Sequence, residues 1–451
     1  MTMKKQNLRY MKWIGKMIVL LFIFNFQFSI FDCSAQRVSL DECLEKALES
    51  NFSIKIIRNE ARMDKNNLNY STFLPTLEGT AKQTQTRNDT KTENSAGEVN
   101  KMSDVKTDNY TAGVALNWRI FDGLEMFTTH EKQKELLAMG ELAVQQAVEN
   151  LILNVSAAYY NVLVQHHKLM AARHSLELSN ERYDEARVRY KIGNRSGLEA
   201  QQAKIDLNTD SSTYVRQKEA LKSAYITLNK LMNTDLQMVN YVQDTILLGP
   251  QLVLGTLEQK TLAGNTTLLI AKKDQKISAL DLKNARAVLF PTLDFNSGYN
   301  YNKTDTPSSS TTLNRSNGFY WGFSLNVPIF SRLQNRTKIK NAKLELENTE
   351  LSYQEAEKET LGDLALMYNS YENNLLMVNF EIESASVAEA NLDAALEKYK
   401  IGSLSGIEFR EFQRSYIDAV DRKLSAIYQA KVSELSLLLL SGDIRGSFVV
   451  E

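Results

Sequence analysis

The chain has 451 residues, with 53 Lys and Arg against 54 Asp and Glu, and a formal net charge of −1. That balance leaves no basic excess to hold a nucleic-acid backbone, so nucleic acid is not expected as a partner. Only four histidines occur, with no Gly-rich phosphate loop and no nucleophile elbow, so no catalytic, cofactor-binding or metal site is assigned.

The first segment reads as an export signal, residues 1–35. Lys4, Lys5, Arg9, Lys12 and Lys16 form a basic stretch, and Met17 to Phe31 is apolar apart from Asn25, Gln27 and Ser29. Ser34-Ala35 then offers a cleavage site before Gln36. A retained membrane anchor is the alternative, but a spanning helix needs ~20 apolar residues. Cys33 offers a lipid-attachment alternative, to which Asp32 is a poor fit. Loss of this leader removes five basic residues and one acid, leaving 48 against 53. Cys43 is then the one cysteine left, so stability must come from packing or assembly rather than disulfides.

Leu77 to about Gln85 is a weak strand with Gly79, Ala81 and Gln83 on its apolar face. A polar segment, 86–109, leads to a strong alternation of Tyr110, Ala112, Val114, Leu116, Trp118 and Ile120. From Leu124 to Tyr190 helical spacing takes over, and Leu169, Leu176, Tyr183 and Tyr190 keep a seven-residue step, with Ala172, Ser179 and Ala186 between them. Such a seam marks a coiled coil. It stops at Lys191-Ile192-Gly193, where glycine can take the left-handed turn, and Ser196 is placed to cap a returning helix that runs to about Met232.

The same order then repeats. Leu293, Phe295, Ser297, Tyr299 and Tyr301 form a third strand. After a polar segment, 302–317, a fourth carries Phe319, Trp321, Phe323, Leu325, Val327 and Ile329. Val378, Ala385, Leu392 and Tyr399 renew the seam at an offset of 209 residues. The tip returns as Lys400-Ile401-Gly402, with Ser405 as the cap and a helix from Ile407 to Leu440. The chain is one unit of about 200 residues written twice. The expected division is 36–235 for the first repeat, 236–263 for a linker and 264–451 for the second.

Each half thus holds two strands and a long helical hairpin, and a run of about 65 helical residues would reach on the order of 100 Å. Tyr110, Trp118, Phe121, Phe319, Trp321 and Phe330 gather toward strand ends, as interfacial aromatic girdles do. Four strands cannot close a transmembrane barrel, whose smallest forms have about eight. Strands that span a membrane here would therefore need several chains, and three copies would supply 12.

The Pro75 and Pro291 junctions, the Ile-Phe strand exits at Phe121 and Phe330, and the Tyr-Lys-Ile-Gly tips at Gly193 and Gly402 occur twice and in order. In these the chain resembles the TolC-like outer-membrane efflux protein family, over nearly all of the sequence after the leader. The resemblance implies a mostly α fold with membrane β. It further implies a homotrimer whose 12-stranded β-barrel in outer-membrane lipid continues as a periplasmic α-helical barrel girdled around 236–263. Its partners would be a periplasmic adaptor protein and an inner-membrane transporter, with no cofactor. Tyr190, Gly193, Ser196, Tyr399, Gly402 and Ser405 match the adaptor-contacting tips, and Glu408 and Glu411 match an acidic gate.

A spacing of three puts the two carboxylates on one helix face, and three chains would make two acidic rings that select for cations. The plainer alternative is an acidic first turn that favours the helix dipole. Where the resemblance implies a tethering arginine in the second tip this chain has Leu404, and Arg195 stands at the corresponding place in the first. His166, His167 and His174 are expected as solvated surface residues. An exit duct for type I protein secretion and a surface-anchored structural coiled coil remain the other function classes.

Overall fold

The computed structural model describes residues 38–93, 95–192, 197–239, 245–307 and 312–447. The expected leader lies outside the described residues. Two helices precede each strand pair, α1 (Leu40–Ser50) and α2 (Phe52–Asn67) before the first, α5 (Leu254–Gly264) and α6 (Thr266–Ala287) before the second. The same residue type starts the second helix of each pair. The Asn51 side chain accepts from the Ser53 and Ile54 N–H groups, and Asn265 accepts from Leu268 N.

Strands β1 (Thr76–Glu93) and β2 (Val99–Phe121) follow in the first half, and β3 (Thr292–Asp305) and β4 (Leu313–Asn326) in the second. The long hairpins come next: α3 (Glu125–Lys191) with α4 (Gly197–Met232), then α7 (Gln334–Lys400) with α8 (Gly406–Leu440). Both α3 and α7 have 67 residues. Their ends stand 209 positions apart, so the seam expected from the heptads is carried by two helices of identical length.

The strands form one antiparallel sheet in the order β1-β2-β3-β4. Their register aligns the apolar faces. Leu77 opposes Leu116 and Gly79 opposes Val114. Val114 in turn opposes Tyr299, and Trp118 opposes Phe295. Phe295 opposes Phe323, and Tyr299 opposes Phe319. Since the side-chain period is two, Glu78, Thr80, Ala115, Asn117, Asn296, Gly298, Tyr320 and Ser324 share the other face. One face is thus apolar and aromatic, and the other carries mostly small or polar residues, with Tyr320 the large exception among those named.

Two expectations need correction. The polar segments 86–109 and 302–317 are mostly strand, because a backbone ladder is satisfied whatever the side chains, and Thr84, Thr86, Thr90 and Thr92 suit a pleated surface. The first hairpin takes a bulge between Asn88 and Thr90, opposite Asp104 at φ 55°, whose N–H donates to Asp89 Oδ1 at 2.9 Å. The fourth strand, in contrast, ends early. Val327 to Phe330 are not in the sheet, where Pro328 has no N–H to give a ladder. Phe121 does close β2, so the Ile-Phe exit holds for the first copy only.

The chain divides into two compact units. Of the described residues, those within 38–47, 155–247 and 377–428 form one, which includes the second helix tip; those within 48–154, 248–376 and 429–447 form the other, which includes the sheet. In the second unit Leu257, Leu364, Tyr371 and Leu437 form a buried cluster. In the first, Leu178, Leu392, Ala395, Tyr399 and Phe409 form another.

Candidate functional site

The second tip is built by backbone hydrogen bonding that its sequence dictates. Gly402 sits at φ +78°, Ser403 N donates to Lys398 O at 2.9 Å, and Gly402 N donates to Tyr399 O at 3.0 Å. That pair of bonds terminates α7 and satisfies two of its last carbonyls. Three residues on, Ser405 and Glu408 form a reciprocal cap. Glu408 N donates to Ser405 Oγ at 3.2 Å, and Ser405 N donates to Glu408 Oε2 at 2.9 Å. The Ser405 hydroxyl, and after it the Ser405 backbone N–H, hold the Glu408 carboxyl below the usual range.

Tyr399 is buried and stacks on Phe409 with ring centroids 5.2 Å apart. The Arg189 guanidinium lies 5.2 Å from the centre of the same ring and donates to Tyr399 O at 3.4 Å. Burial pushes the Tyr399 hydroxyl up in pKa, and that hydroxyl has no hydrogen-bond partner among the described residues. Leu404 packs against this cluster, so the position where the resemblance expected an arginine supplies an apolar contact. At the first tip Tyr190 is exposed, and Gly193, Arg195 and Ser196 lie outside the described residues.

The two gate candidates have different surroundings. Glu408 is turned back onto the cap, whereas Glu411 lines a cleft of about 640 Å³ together with Asp206, Arg410, Arg414 and Asp418. Behind that cleft lies a polar network that the sequence did not suggest. Asp210, 8% exposed, receives both Arg410 nitrogens, at 2.6 Å and 2.7 Å, and the hydroxyls of Ser175 and Ser179. Fully buried Gln413 donates to Ser175 O and Oγ, both at 2.8 Å. Arg182, also buried, pairs with Asp206 and donates to Gly406 O at 3.2 Å. Removing one partner of a buried pair costs ~3–5 kcal/mol, since it strands the other charge. The network therefore fixes α3, α4 and α8 against one another. A charged residue within a heptad reads as a solvated position, so only the seven-residue step of Lys168, Ser175, Arg182 and Arg189 could have signalled it.

His167 and His174 are exposed and His166 half-buried, with the His174 ring edge-on to Tyr416 at 6.3 Å. Among the described residues, no three His, Cys, Asp or Glu side chains gather as a metal ion would require. No described helix is long and apolar enough to cross a membrane.

Comparison with known proteins accounts for this arrangement. Residues 43–234 and 257–443 match the family described as outer membrane efflux protein. The outer membrane protein TolC of Escherichia coli is 20% identical over 350 residues, covering 74% of this chain and 69% of that protein. The cation efflux system protein CusC of the same species is 23% identical over 335 residues, covering 71% and 70%. Among solved structures, the Campylobacter jejuni CmeC outer membrane channel superposes with a TM-score of 0.76 at 18% identity, covering 90% of this chain and 86% of that one. These relatives are channels rather than enzymes. The duplicated strand-and-hairpin unit and the two matched segments together place this chain in the outer membrane efflux protein family, as a protein of the outer membrane.

Proposed function

We propose that this protein is the exit duct of a tripartite efflux system, passively conducting substrates from a periplasmic adaptor and an inner-membrane pump to the exterior. The sheet carries the argument. Its four strands present one continuous apolar face, while the outer edges of β1 and β4 have no strand partner among the described residues. Open edges are not tolerated in lipid, so further copies must pair with them. Three copies close a barrel of 12 strands, the homotrimer that the family resemblance implies.

The helices point to the same assembly. Val378, Ala385, Leu392 and Tyr399 are buried within the chain. Their first-repeat counterparts Leu169, Leu176 and Tyr183 are only half-buried, and Tyr190 is 53% exposed. A second copy of the chain would cover them. In this reading residues 1–35 are removed on export, 36–235 and 264–451 are the repeats, and 236–263 belong to the girdle. The tips, with Tyr190, Gly193, Ser196, Tyr399, Gly402 and Ser405, meet the adaptor, and Glu408 and Glu411 line the constriction. Light scattering of the protein in mild detergent is expected to give three chains per particle, and planar bilayers discrete conductance steps. A monomer at native concentration would sink this reading.

A further inference from the structure

The far end of the sheet carries its positive charge on one face. From the row of Gln83, Tyr110, Lys303 and Arg315 outward, all six Lys and Arg of the four strands share the face of Val114 and Phe295. They stand as three pairs of like charge, directly opposite one another: Arg87 with Lys106, Lys91 with Lys101, and Lys303 with Arg315. Like charges so placed destabilise a strand pair unless something neutralises them.

The three pairs differ in what neutralises them. Arg87 lies 3.7 Å from Asp104 Oδ2, and Lys106 lies 3.2 Å from Asp108 Oδ2. Lys91 and Lys101 belong to the ribbon of β1 and β2 beyond the end of β3. Lys303 and Arg315 lie inside the four-stranded sheet, and among the described residues neither forms an ion pair. Asp108, one row out, is engaged by Lys106 and by Gln85 Nε2 at 2.7 Å, and Asp305 stands in that same row between Asp108 and Leu313. The Lys303 ammonium lies instead 5.3 Å from the centre of the Tyr110 ring, whose hydroxyl accepts from Gln83 Nε2 at 3.1 Å.

Lys303 lies ten residues beyond Leu293, which opens the apolar face of β3. At ~3.4 Å per residue and a strand tilt of about 40°, that is roughly 26 Å of height. The apolar band of a transmembrane barrel is about 25 Å tall, so in the proposed barrel the pair stands level with the headgroups of the outer leaflet. Exposed Tyr299, Tyr301, Phe319 and Trp321 lie just below it on the same face, where acyl chains would run.

We propose that Lys303 and Arg315 bind a phosphate on the headgroup of an outer-leaflet lipid, one site per chain. The Arg315 guanidinium offers paired N–H donors to the phosphate oxygens, and Lys303, steadied by Tyr110, supplies a second charge. The proposal rests on the trimeric-channel reading, since only a membrane-embedded barrel brings this row to the headgroups.

Native mass spectrometry of the purified trimer, titrated in mild detergent with diphosphoryl lipid A, tests it. Saturable binding is expected, and Lys303→Gln with Arg315→Gln should weaken it at least ~10-fold. Lys82→Gln, on the opposite face, should leave it within about 2-fold. If the double variant does not assemble, Lys303→Gln alone serves, with a loss of about 3-fold or more. Lipid A stripped of its phosphates should bind at least ~10-fold more weakly, and inorganic phosphate at equal concentration should not displace the intact lipid. Unweakened binding by the lysine and arginine variants, equal binding of the phosphate-free lipid, or displacement by inorganic phosphate each overturns the proposal. Parent protein that is not trimeric or does not conduct in planar bilayers defeats the channel reading instead.

Discussion

Asn233 and Gly442, 209 residues apart, end the returning helices of the two hairpins with the same left-handed turn. They stand at φ 51° and 73°, with Thr234 N donating to Asn229 O at 3.0 Å and Asp443 N to Leu438 O at 2.9 Å. Asparagine tolerates that conformation and glycine adopts it freely. The second copy needs glycine for another reason: a Cβ on Gly442 would lie 2.5 Å from Gly264 O, whereas nothing lies within 4 Å of one on Gly402. Gly442→Ala should therefore cost about 2–3 kcal/mol and Gly402→Ala about 1 kcal/mol. Melting of the detergent-solubilised protein measures both, and equal losses would refute the close-approach argument.

The two carboxylates proposed for the gate should behave unequally. Glu411 stands in the open cleft, so Glu411→Ala is expected to raise single-channel conductance and weaken block by multivalent cations. Glu408→Ala should add a smaller change and also lower stability slightly, through the lost cap partner. Because the folded-state pKa of Glu408 is depressed, its contribution is present above the ordinary carboxylate range and is lost as pH falls below it. Unchanged conductance and block in the double variant would remove both residues from the gate.

Glu149 gives the opposite pH dependence. It is fully buried, accepting from Gln145 Nε2 at 2.8 Å and Thr266 Oγ1 at 3.1 Å, and burial raises its pKa against those bonds and the charge of Arg445. The folded protein then holds this proton to higher pH than the unfolded chain does, so stability falls as pH rises through and above the usual Glu range. Glu149→Gln should melt a few degrees above the parent at about pH 8 and converge with it near about pH 4. A parallel pair of pH–melting curves would contradict this.

In the proposed barrel the shared register of the sheet would set lipid and lumen at adjacent residues. Val114 lies on the aromatic face between Gly79 and Tyr299, and Ala115 on the polar face between Glu78 and Gly298. Val114→Arg should cost ~2–4 kcal/mol if placed near the bilayer midplane, while Ala115→Arg should be tolerated and alter conductance. Outer-membrane yield and heat stability of the trimer distinguish them; similar penalties would mean the faces are misassigned.

The periodic features were legible in the sequence. The two 67-residue helices, the turn at Gly402 and the cap at Ser405 follow from spacing and from single residues whose local chemistry has few outcomes. The strand ends were not, since threonine and asparagine pair in a ladder as readily as they sit in loops, and Pro328 stopped a strand that alternation carried on to Ile329. The core of the site was least legible. Arg182, Asp210 and Gln413 meet through contacts between residues 24 to 238 positions apart, and a lone sequence gives no sign of which charges face each other.

The first strand pair continues past the end of the second. Gln85 and Asp108 stand level with Asp305, yet β1 and β2 stay paired out to Glu93 and Val99. At ~3.4 Å per residue those eight further positions amount to roughly 27 Å of two-stranded ribbon. On a cell, the turn at its end would be the part that antibodies and phages reach first. A peptide tag inserted near Gly97 should label intact bacteria without narrowing the duct.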